Sequence, residues 1–329
     1  MSAVRNLRER GHPGRRLLPL TVIPVPGPGA EDVLVGGDGR VWTGTADGGL
    51  HVHDPGDGSV TTVSTTRGRP MGLEWLPDGR IVVCDARRGL LAVDPVDGAV
   101  EVLATEAEGR RFLVTNNAAV APDGTVWFTD SSAFHDIDAW RDELIAHTRS
   151  GRLLRRTADG AVETVLGGLA FANGVALSPS GDAVLVAESA TRRICRVATD
   201  GEGAGSVSAW VEDLPGHPDN MSLGSDGLVW VTLAAPADPT LRVLQRGPDL
   251  LRRLVVRAPE RLKPGPRRSV RVMALTEDAQ VAHDLEFDPT AWHFATGVRE
   301  HGGRVWLGSL LEPAIAVGEV PASAPHARS

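Results

Sequence analysis

The chain has 329 residues, of which 42% are hydrophobic and 23% are charged, and it carries a formal net charge of −8 at pH 7. This charge argues against general nucleic-acid binding, and no apolar run approaches the roughly 20 residues of a membrane-spanning helix. We therefore expect no nucleic-acid partner and no stable membrane insertion. Two cysteines cannot make a disulfide framework, and the basic N-terminus lacks the apolar stretch of a signal peptide, so the expected compartment is the reducing cytoplasm.

Two residue types narrow the chemistry further. The chain has no tyrosine, which excludes a phenolic nucleophile, and Lys263 is its only lysine, so Schiff-base chemistry would depend on that one residue. The 38 glycines and 23 prolines are typical of many short strands joined by tight turns.

A repeated unit follows an N-terminal tail (residues 1–19) and a short apolar stretch (residues 21–26). Each unit reads as an apolar strand, a turn rich in Gly and Asp, a second strand and a third. Six units occur, with turns at Asp38, Asp78, Asp123, Ser180, Asp226 and Gly302. The repetition predicts one all-β domain, a six-bladed β-propeller, with a β-sandwich of irregular hairpins as the alternative. Residues 21–26 are expected to close the ring by pairing with residues 314–320, which precede a C-terminal tail at 321–329.

Two insertions, residues 131–151 and 234–271, follow the second strand of a blade and are therefore expected to cover the same face of the ring as helical lids. The first contains an amphipathic helix with Trp140 and Leu144 on its apolar stripe. Leu250 and Leu251 of the second are expected to pack with them over the channel mouth. The stretch 242–271 carries ten basic residues and two acids. A solvated cap helix is the favoured interpretation, and an anionic membrane surface or an acidic partner is the alternative.

The first strand of each blade lines the central channel, so the residues at which these strands begin face one another. Seven residues before each turn lie Glu31, Met71, Asn116, Asn173, Asp219 and Ala295. Polar groups at a buried axis are costly unless something satisfies them. Two carboxylates and two amides are most simply satisfied by a hard divalent cation, and all-oxygen ligation favours Ca²⁺. A polar, water-filled channel is the alternative.

Several motifs resemble a known family. The segments TNNAAVAPDGTVWFTDSS, FANGVALSPSG, DLPGHPDNMSLGSDG, VREHGG and GGRVWLGSLLEP resemble the strictosidine synthase-like branch of the gluconolactonase/regucalcin (senescence marker protein) superfamily, over residues 29–320. The resemblance implies a six-bladed propeller with a divalent metal in the channel. It implies Glu31, Asn116 and Asn173 as metal ligands, and Asp219 as both a ligand and the general base.

The chain departs from the family pattern at three positions. Asn117 stands where the family commonly has Asp, and Val114 stands where gluconolactonases have a substrate-binding Arg. Trp292 precedes His293 and Phe294, where plant strictosidine synthases have a Glu. These differences argue against a sugar lactone as the substrate and against the plant condensation chemistry.

The resulting hypothesis is a Ca²⁺-dependent hydrolase of a fairly apolar lactone or ester, a small-molecule substrate held beneath the lids. The metal would polarise the carbonyl while Asp219 accepts a proton from the attacking water. A non-hydrolytic biosynthetic enzyme of condensation or cyclisation, and a non-catalytic binding propeller, are the alternatives.

Other polar residues near the channel have two interpretations each. His293 is either a proton shuttle or a satisfied channel-wall histidine. Asp130 and Glu188 end second strands on the metal face, where they either orient the substrate or, as we favour, bond to loop amides. The remaining residues expected around the site are Asp32, Asn117, Asn220 and Trp140.

Overall fold

The computed structural model describes residues 17–200, 203–259, 262–263 and 265–321. Six four-stranded antiparallel sheets follow one another along the chain. The innermost strand of each sheet contacts the innermost strands of the two neighbouring sheets, which closes a ring. The predicted six-bladed β-propeller is therefore confirmed, and the β-sandwich alternative is wrong.

The first three blades each run outward from the channel in chain order. Their strands are β2 (Val33–Val35), β3 (Val41–Gly44), β4 (Gly49–His53) and β5 (Val60–Thr65); β6 (Pro70–Trp75), β7 (Ile81–Asp85), β8 (Gly89–Val93) and β9 (Val100–Ala104); and β12 (Thr115–Val120), β13 (Val126–Asp130), β14 (Gly151–Arg156) and β15 (Val162–Leu169). A two-stranded hairpin, β10 (Glu106–Ala107) and β11 (Arg110–Arg111), joins the second blade to the third.

The last three blades follow the same order, except that the sixth takes its outer strand from the N-terminal part of the chain. Their strands are β16 (Ala172–Leu177), β17 (Ala183–Glu188), β18 (Arg193–Ala198) and β19 (Val207–Val211); β20 (Gly216–Leu223), β21 (Val229–Pro236), β22 (Arg271–Leu275) and β23 (Val281–Glu286); and β24 (Ala295–His301), β25 (Arg304–Ser309), β26 (Ala314–Glu319) and β1 (Thr21–Pro24).

Ring closure occurs as predicted, through antiparallel pairing of β1 with β26. Thr21 lies opposite Val317 and Pro24 opposite Ala314. Because this pairing covers the outer edge of the sixth blade with a strand from the other end of the chain, it links the two ends of the ring non-covalently.

The turn between the first and second strands of each blade confirms the local prediction. In the first blade, Asp38 Oδ1 accepts a hydrogen bond from the amide of Arg40 at 3.1 Å, and Gly39 adopts a φ of 82°. A side chain is strained at that φ, which explains why the turn is rich in Asp and Gly.

Apolar side chains fill the space between neighbouring blades. Between the first and second blades, Leu34, Leu50, Leu73 and Leu91 are buried in one cluster, where the rings of Trp42 and Trp75 meet edge to face at 6.1 Å. Cys84 and Cys195 are both buried and unpaired. Among the described residues no helix is both long and apolar enough to cross a membrane.

Both insertions form helices on one face of the ring. The first contains a 3₁₀ turn (Ile137–Ala139) and helix α1 (Trp140–Ala146), and the second contains α2 (Pro239–Arg246) and α3 (Asp249–Val256). Asp238 caps α2 by accepting hydrogen bonds from the amides of Thr240 and Leu241. Most of the predicted N- and C-terminal tails lies outside the described residues, although Leu18 bridges to Phe287.

Candidate metal centre and pocket

The predicted ligand positions converge at the channel. Glu31, Asn116, Asn173 and Asp219 come from four different blades, and all four line one pocket of about 900 Å³, including its open mouth. Met71, which is apolar, and Thr296 line the same pocket from the two remaining blades. The fold thus brings two carboxylates and two carboxamides together, as the repeat register predicts.

Two serines determine which end of each asparagine faces the pocket. Asn116 Nδ2 donates to Ser131 Oγ at 2.9 Å, and the Ser131 hydroxyl donates its own proton to the Ala172 carbonyl at 2.6 Å. Asn173 Nδ2 donates to Ser189 Oγ at 3.1 Å. Because the amide nitrogens are used in this way, the Oδ1 atoms are left over, and both are buried without a hydrogen-bond partner.

The two carboxylates lie in an environment that disfavours negative charge. Burial, reinforced by the nearby charges of Asp32 and Asp219, raises the pKa of Glu31 well above its usual value. Burial also raises the pKa of Asp219 to about 7. Asn220 Nδ2 donates a hydrogen bond to both oxygens of Glu31 at 3.2 Å, and this bond partly opposes the rise in the Glu31 pKa.

This donor set fits a hard divalent cation. An unpartnered buried carbonyl oxygen costs free energy, and a positive ion would satisfy both Oδ1 atoms while removing the repulsion between the carboxylates. In the part of the chain that the structure describes, His, Cys, Asp and Glu side chains form no group of three that could hold a metal. A cation here would therefore depend on the two asparagines, and the all-oxygen set matches Ca²⁺ better than Zn²⁺.

A second polar layer connects neighbouring blades. Asp32 Oδ2 accepts a hydrogen bond from the amide of Leu73 at 3.0 Å, and Asn117 Oδ1 accepts one from Val175 at 2.9 Å. Burial raises the pKa of Asp32 to about 6, although the positive charge of Arg299 opposes this rise. Asp32 and Asn117 do not line the pocket, so their hydrogen bonds hold the inner strands in register beneath it.

Asp130 and Glu188 do not line the pocket, so the less favoured interpretation, that they orient a substrate, finds no support in their positions. Asp130 Oδ1 accepts from the amides of Leu113 and Val114 at 3.0 and 2.9 Å, and its other oxygen pairs with Arg152. Glu188 Oε2 accepts from the amide of Ala170 at 2.7 Å. The favoured interpretation, a strand-end hydrogen bond to loop amides, therefore describes both residues.

His293 is also outside the pocket lining. Its Nδ1 pairs closely with Glu312, and its Nε2 lies 3.5 Å from Arg268. Its neighbour Trp292 is buried, with Nε1 donating to the Ala314 carbonyl at 2.9 Å. The proton-shuttle interpretation of His293 thus finds no support in its position.

His217 is a pocket residue that the sequence reasoning missed. Its Nδ1 lies 2.9 Å from the Ser189 carbonyl, which can only accept, so Nδ1 carries the proton. Nε2 is then an acceptor, and it is buried without a partner. Burial lowers the pKa of His217, which favours this neutral form. The sequence could have indicated this position. His217 lies two residues before Asp219 on the same predicted strand, and residues i and i+2 of a strand face the same side.

Most of the side chains in the roof and walls of the pocket are apolar, although Arg141, Asp238 and Arg267 also line it. Helix α1 provides Trp140 and Leu144 as predicted, and α2 provides Leu241. The Trp140 ring packs against that of Phe294, with 5.5 Å between the ring centroids. The prediction for Leu250 and Leu251 is wrong, because both lie on α3 outside the roof, with 70% and 46% of their surface exposed.

Two family sequence models match the chain. The SMP-30/gluconolactonase/LRE-like region matches residues 35–256, and the strictosidine synthase-like N-terminal region matches residues 13–51. The adipocyte plasma membrane-associated protein of Gallus gallus is 33% identical over 313 residues, covering 87% of this chain and 74% of that protein. Protein STRICTOSIDINE SYNTHASE-LIKE 10 of Arabidopsis thaliana is 35% identical over 260 residues, covering 76% and 69%.

Two solved structures share the fold at low sequence identity. A gluconolactonase from Xanthomonas campestris is 18% identical with a TM-score of 0.65, covering 92% of this chain and 89% of that one. A calcium-binding protein, regucalcin, from Agrobacterium tumefaciens is 15% identical with a TM-score of 0.62, covering 95% and 99%.

Proposed function

The chain belongs to the SMP-30/gluconolactonase/LRE-like family, and from this membership we propose that it is a divalent-metal-dependent hydrolase of a lactone or ester with an apolar body. The observation that carries the proposal is the pocket floor. There Asn116 and Asn173, whose buried Oδ1 atoms have no hydrogen-bond partner, line the same pocket as Glu31 and Asp219.

The residues that would hold the cation are Glu31, Asn116, Asn173 and Asp219, and Ca²⁺ is the ion that we propose. When bound, a divalent cation supplies Lewis acidity that polarises a carbonyl oxygen. Ser131 and Ser189 hold the carboxamides in the orientation that such a site needs, and Asn220 supports Glu31.

Asp219 and His217 are the two pocket residues that we assign to the attacking water and its proton. We assign Asp219 as the general base, because its carboxylate lies at the pocket floor beside the other proposed ligands. In the metal-free protein burial raises its pKa to about 7. Opposite charge bound beside it would lower that pKa. The free Nε2 of His217 accepts a hydrogen bond, and we assign it to orienting the attacking water.

The pocket wall favours an apolar acyl or ring substituent over a sugar. Most of its lining residues are aliphatic or aromatic, among them Trp140, Phe171 and Phe294. Val114, which replaces the sugar-binding Arg of gluconolactonases, is buried among apolar side chains. These apolar side chains would favour burial of an apolar substituent over that of a polyhydroxylated ring.

The test is hydrolysis of a panel of aliphatic and aromatic lactones and esters, after treatment with a chelator and again after Ca²⁺ is restored. We expect turnover of at least one apolar member that is lost with the chelator and recovered with Ca²⁺. Turnover that is indifferent to the chelator would exclude the metal-dependent mechanism. Calcium binding without turnover of any member would instead favour the biosynthetic enzyme or the binding propeller.

A further inference from the structure

The outer face of helix α3 carries leucines that are exposed to solvent and not buried in the core. Leu250, Leu251 and Leu254 are 70%, 46% and 58% exposed, and Val243 on α2 is 72% exposed. Together with the exposed arginines around them they form what we call the lid surface: Val243, Leu250, Leu251, Leu254, Arg242, Arg246, Arg253 and Arg257. The exposed apolar side chains lie on two consecutive helices. Several apolar residues exposed together indicate an interaction site, whereas single exposed leucines do not.

Packing of the lid onto the ring does not require these residues. Leu241 and Leu244 of α2 are buried with Ile145 of α1, and Val255 and Val256 of α3 pack against the same cluster. None of the residues of α3 is fully buried. The helix thus presents its valines inward and its leucines outward, so it has a second apolar face available for a partner.

The helical part of the second insertion carries a net charge opposite in sign to that of the whole protein. Between residues 239 and 259 there are five arginines and one aspartate, whereas the chain carries a net charge of −8. That aspartate, Asp249, already pairs with Arg252 and Arg253. The exposed leucines are therefore bordered by a net positive charge, which an anionic partner complements.

We propose that the lid surface docks on the surface of an anionic lipid bilayer, with α3 lying in the plane of the interface and its leucines at the boundary between headgroups and acyl chains. Interfacial helices bury apolar side chains at the headgroup–acyl boundary while neighbouring arginines interact with anionic headgroups. A second copy of the chain fits less well. A symmetric contact would bring two identical sets of arginines together, whereas the bilayer offers the opposite charge.

Docking through the lid surface would place the pocket roof close to the bilayer. Helices α1 and α2 form the pocket roof, and α3 packs on the outside of the lid against both of them. A docked protein would therefore hold its pocket roof next to the lipid phase, where apolar molecules concentrate. Docking itself does not depend on the reaction, so it can be tested without knowledge of the substrate.

The experiment is co-sedimentation of the full chain with vesicles of phosphatidylcholine alone and of phosphatidylcholine mixed with phosphatidylglycerol. We expect binding to the mixed vesicles, weaker binding in high salt, and little binding to phosphatidylcholine. Leu250→Glu combined with Leu254→Glu should reduce binding to the mixed vesicles by about tenfold or more, because it replaces inserted apolar groups with charge.

Val96→Glu is the matched control, since Val96 is 91% exposed on a turn of the second blade and its replacement should leave vesicle binding unchanged. Far-UV circular dichroism and the melting temperature establish that each variant is folded. Failure of the parent chain to bind mixed vesicles, or equal binding by the double variant, would overturn the proposal. A solution dimer that Leu250→Glu and Leu254→Glu dissociate would assign the surface to a second copy and overturn it as well.

Discussion

Ser189 engages the amide nitrogen of Asn173 and leaves its amide oxygen without a hydrogen-bond partner. The Ser189 hydroxyl donates to the Pro218 carbonyl at 2.6 Å, and its oxygen then accepts from Asn173 Nδ2 at 3.1 Å. The Oδ1 atom has no other partner. The hydroxyl would therefore orient the amide oxygen of Asn173 for binding a cation.

Ser189→Ala is expected to weaken calcium binding by roughly 10–100-fold, the usual effect of losing a group that orients a ligand. Ser222→Ala is the matched control. Ser222 is a buried serine on β20 that donates to the Val298 carbonyl at 2.8 Å but contacts no predicted ligand. Isothermal titration with Ca²⁺ measures both variants. Equal affinity in the two variants would show that Asn173 does not need its serine.

Asp219→Asn is expected to lower turnover by about 10²–10⁴-fold, because it keeps a ligand oxygen but removes the general base. Glu31→Gln should act mainly through metal affinity, so excess Ca²⁺ should restore much of its activity. The measurement is kcat against calcium concentration for each variant. If calcium rescues Asp219→Asn as fully as Glu31→Gln, Asp219 is only a ligand.

His217→Phe is expected to reduce kcat by about tenfold or more, because it keeps the ring and removes the free Nε2 acceptor from the pocket. His293→Phe should change kcat little, since the imidazole of His293 pairs with Glu312 outside the pocket lining. Steady-state kinetics on the same substrate compares the two. A larger loss from the His293 variant would return the proton-shuttle role to that residue.

The metal-free protein is expected to lose stability as the pH rises from about 4 to 7. The pKa of Asp219 is about 7 in the folded chain against an ordinary value of 3.8. The folded state therefore binds more protons than the unfolded state across this window, and its stability falls as those protons leave. Calcium should consequently raise the melting temperature more at pH 8 than at pH 5.

Thermal unfolding of the chelator-treated protein across this pH range tests the dependence. The Asp219→Asn variant is the control, and its melting temperature should vary less with pH over the same window. An identical pH dependence in the parent and the variant would show that Asp219 is not the group responsible.

Asp130→Ala is expected to lower the free energy of unfolding by about 3–5 kcal/mol, the usual cost of leaving one partner of a buried ion pair alone. Arg152, its partner, is only 3% exposed. Glu163→Ala on the same blade removes an exposed pair with Arg155 and should cost about 0–1 kcal/mol. Urea unfolding measures both. Unchanged calcium affinity in Asp130→Ala would confirm a structural role, and weakened affinity would contradict it.

The sequence by itself determined the architecture and the position of the pocket floor. Both depend on a repeat that is local. The glycine-containing turns define the register of each inner strand, and the residues seven positions earlier follow from that register. Glu31 and Asp219 could therefore be assigned to one axis although 188 positions separate them in the chain.

Tertiary structure decided what the repeat does not encode. Whether His217 or His293 faces the pocket depends on the hydrogen bonds that Ser189 and Glu312 offer from other segments. Asp130 bonds to loop amides that arrive from before β12. The leucines of α3 point outward because Val255 and Val256 occupy the inward face against α1 and α2. Helical periodicity indicates that a helix has two faces, but only the packing of its neighbours decides which face is covered.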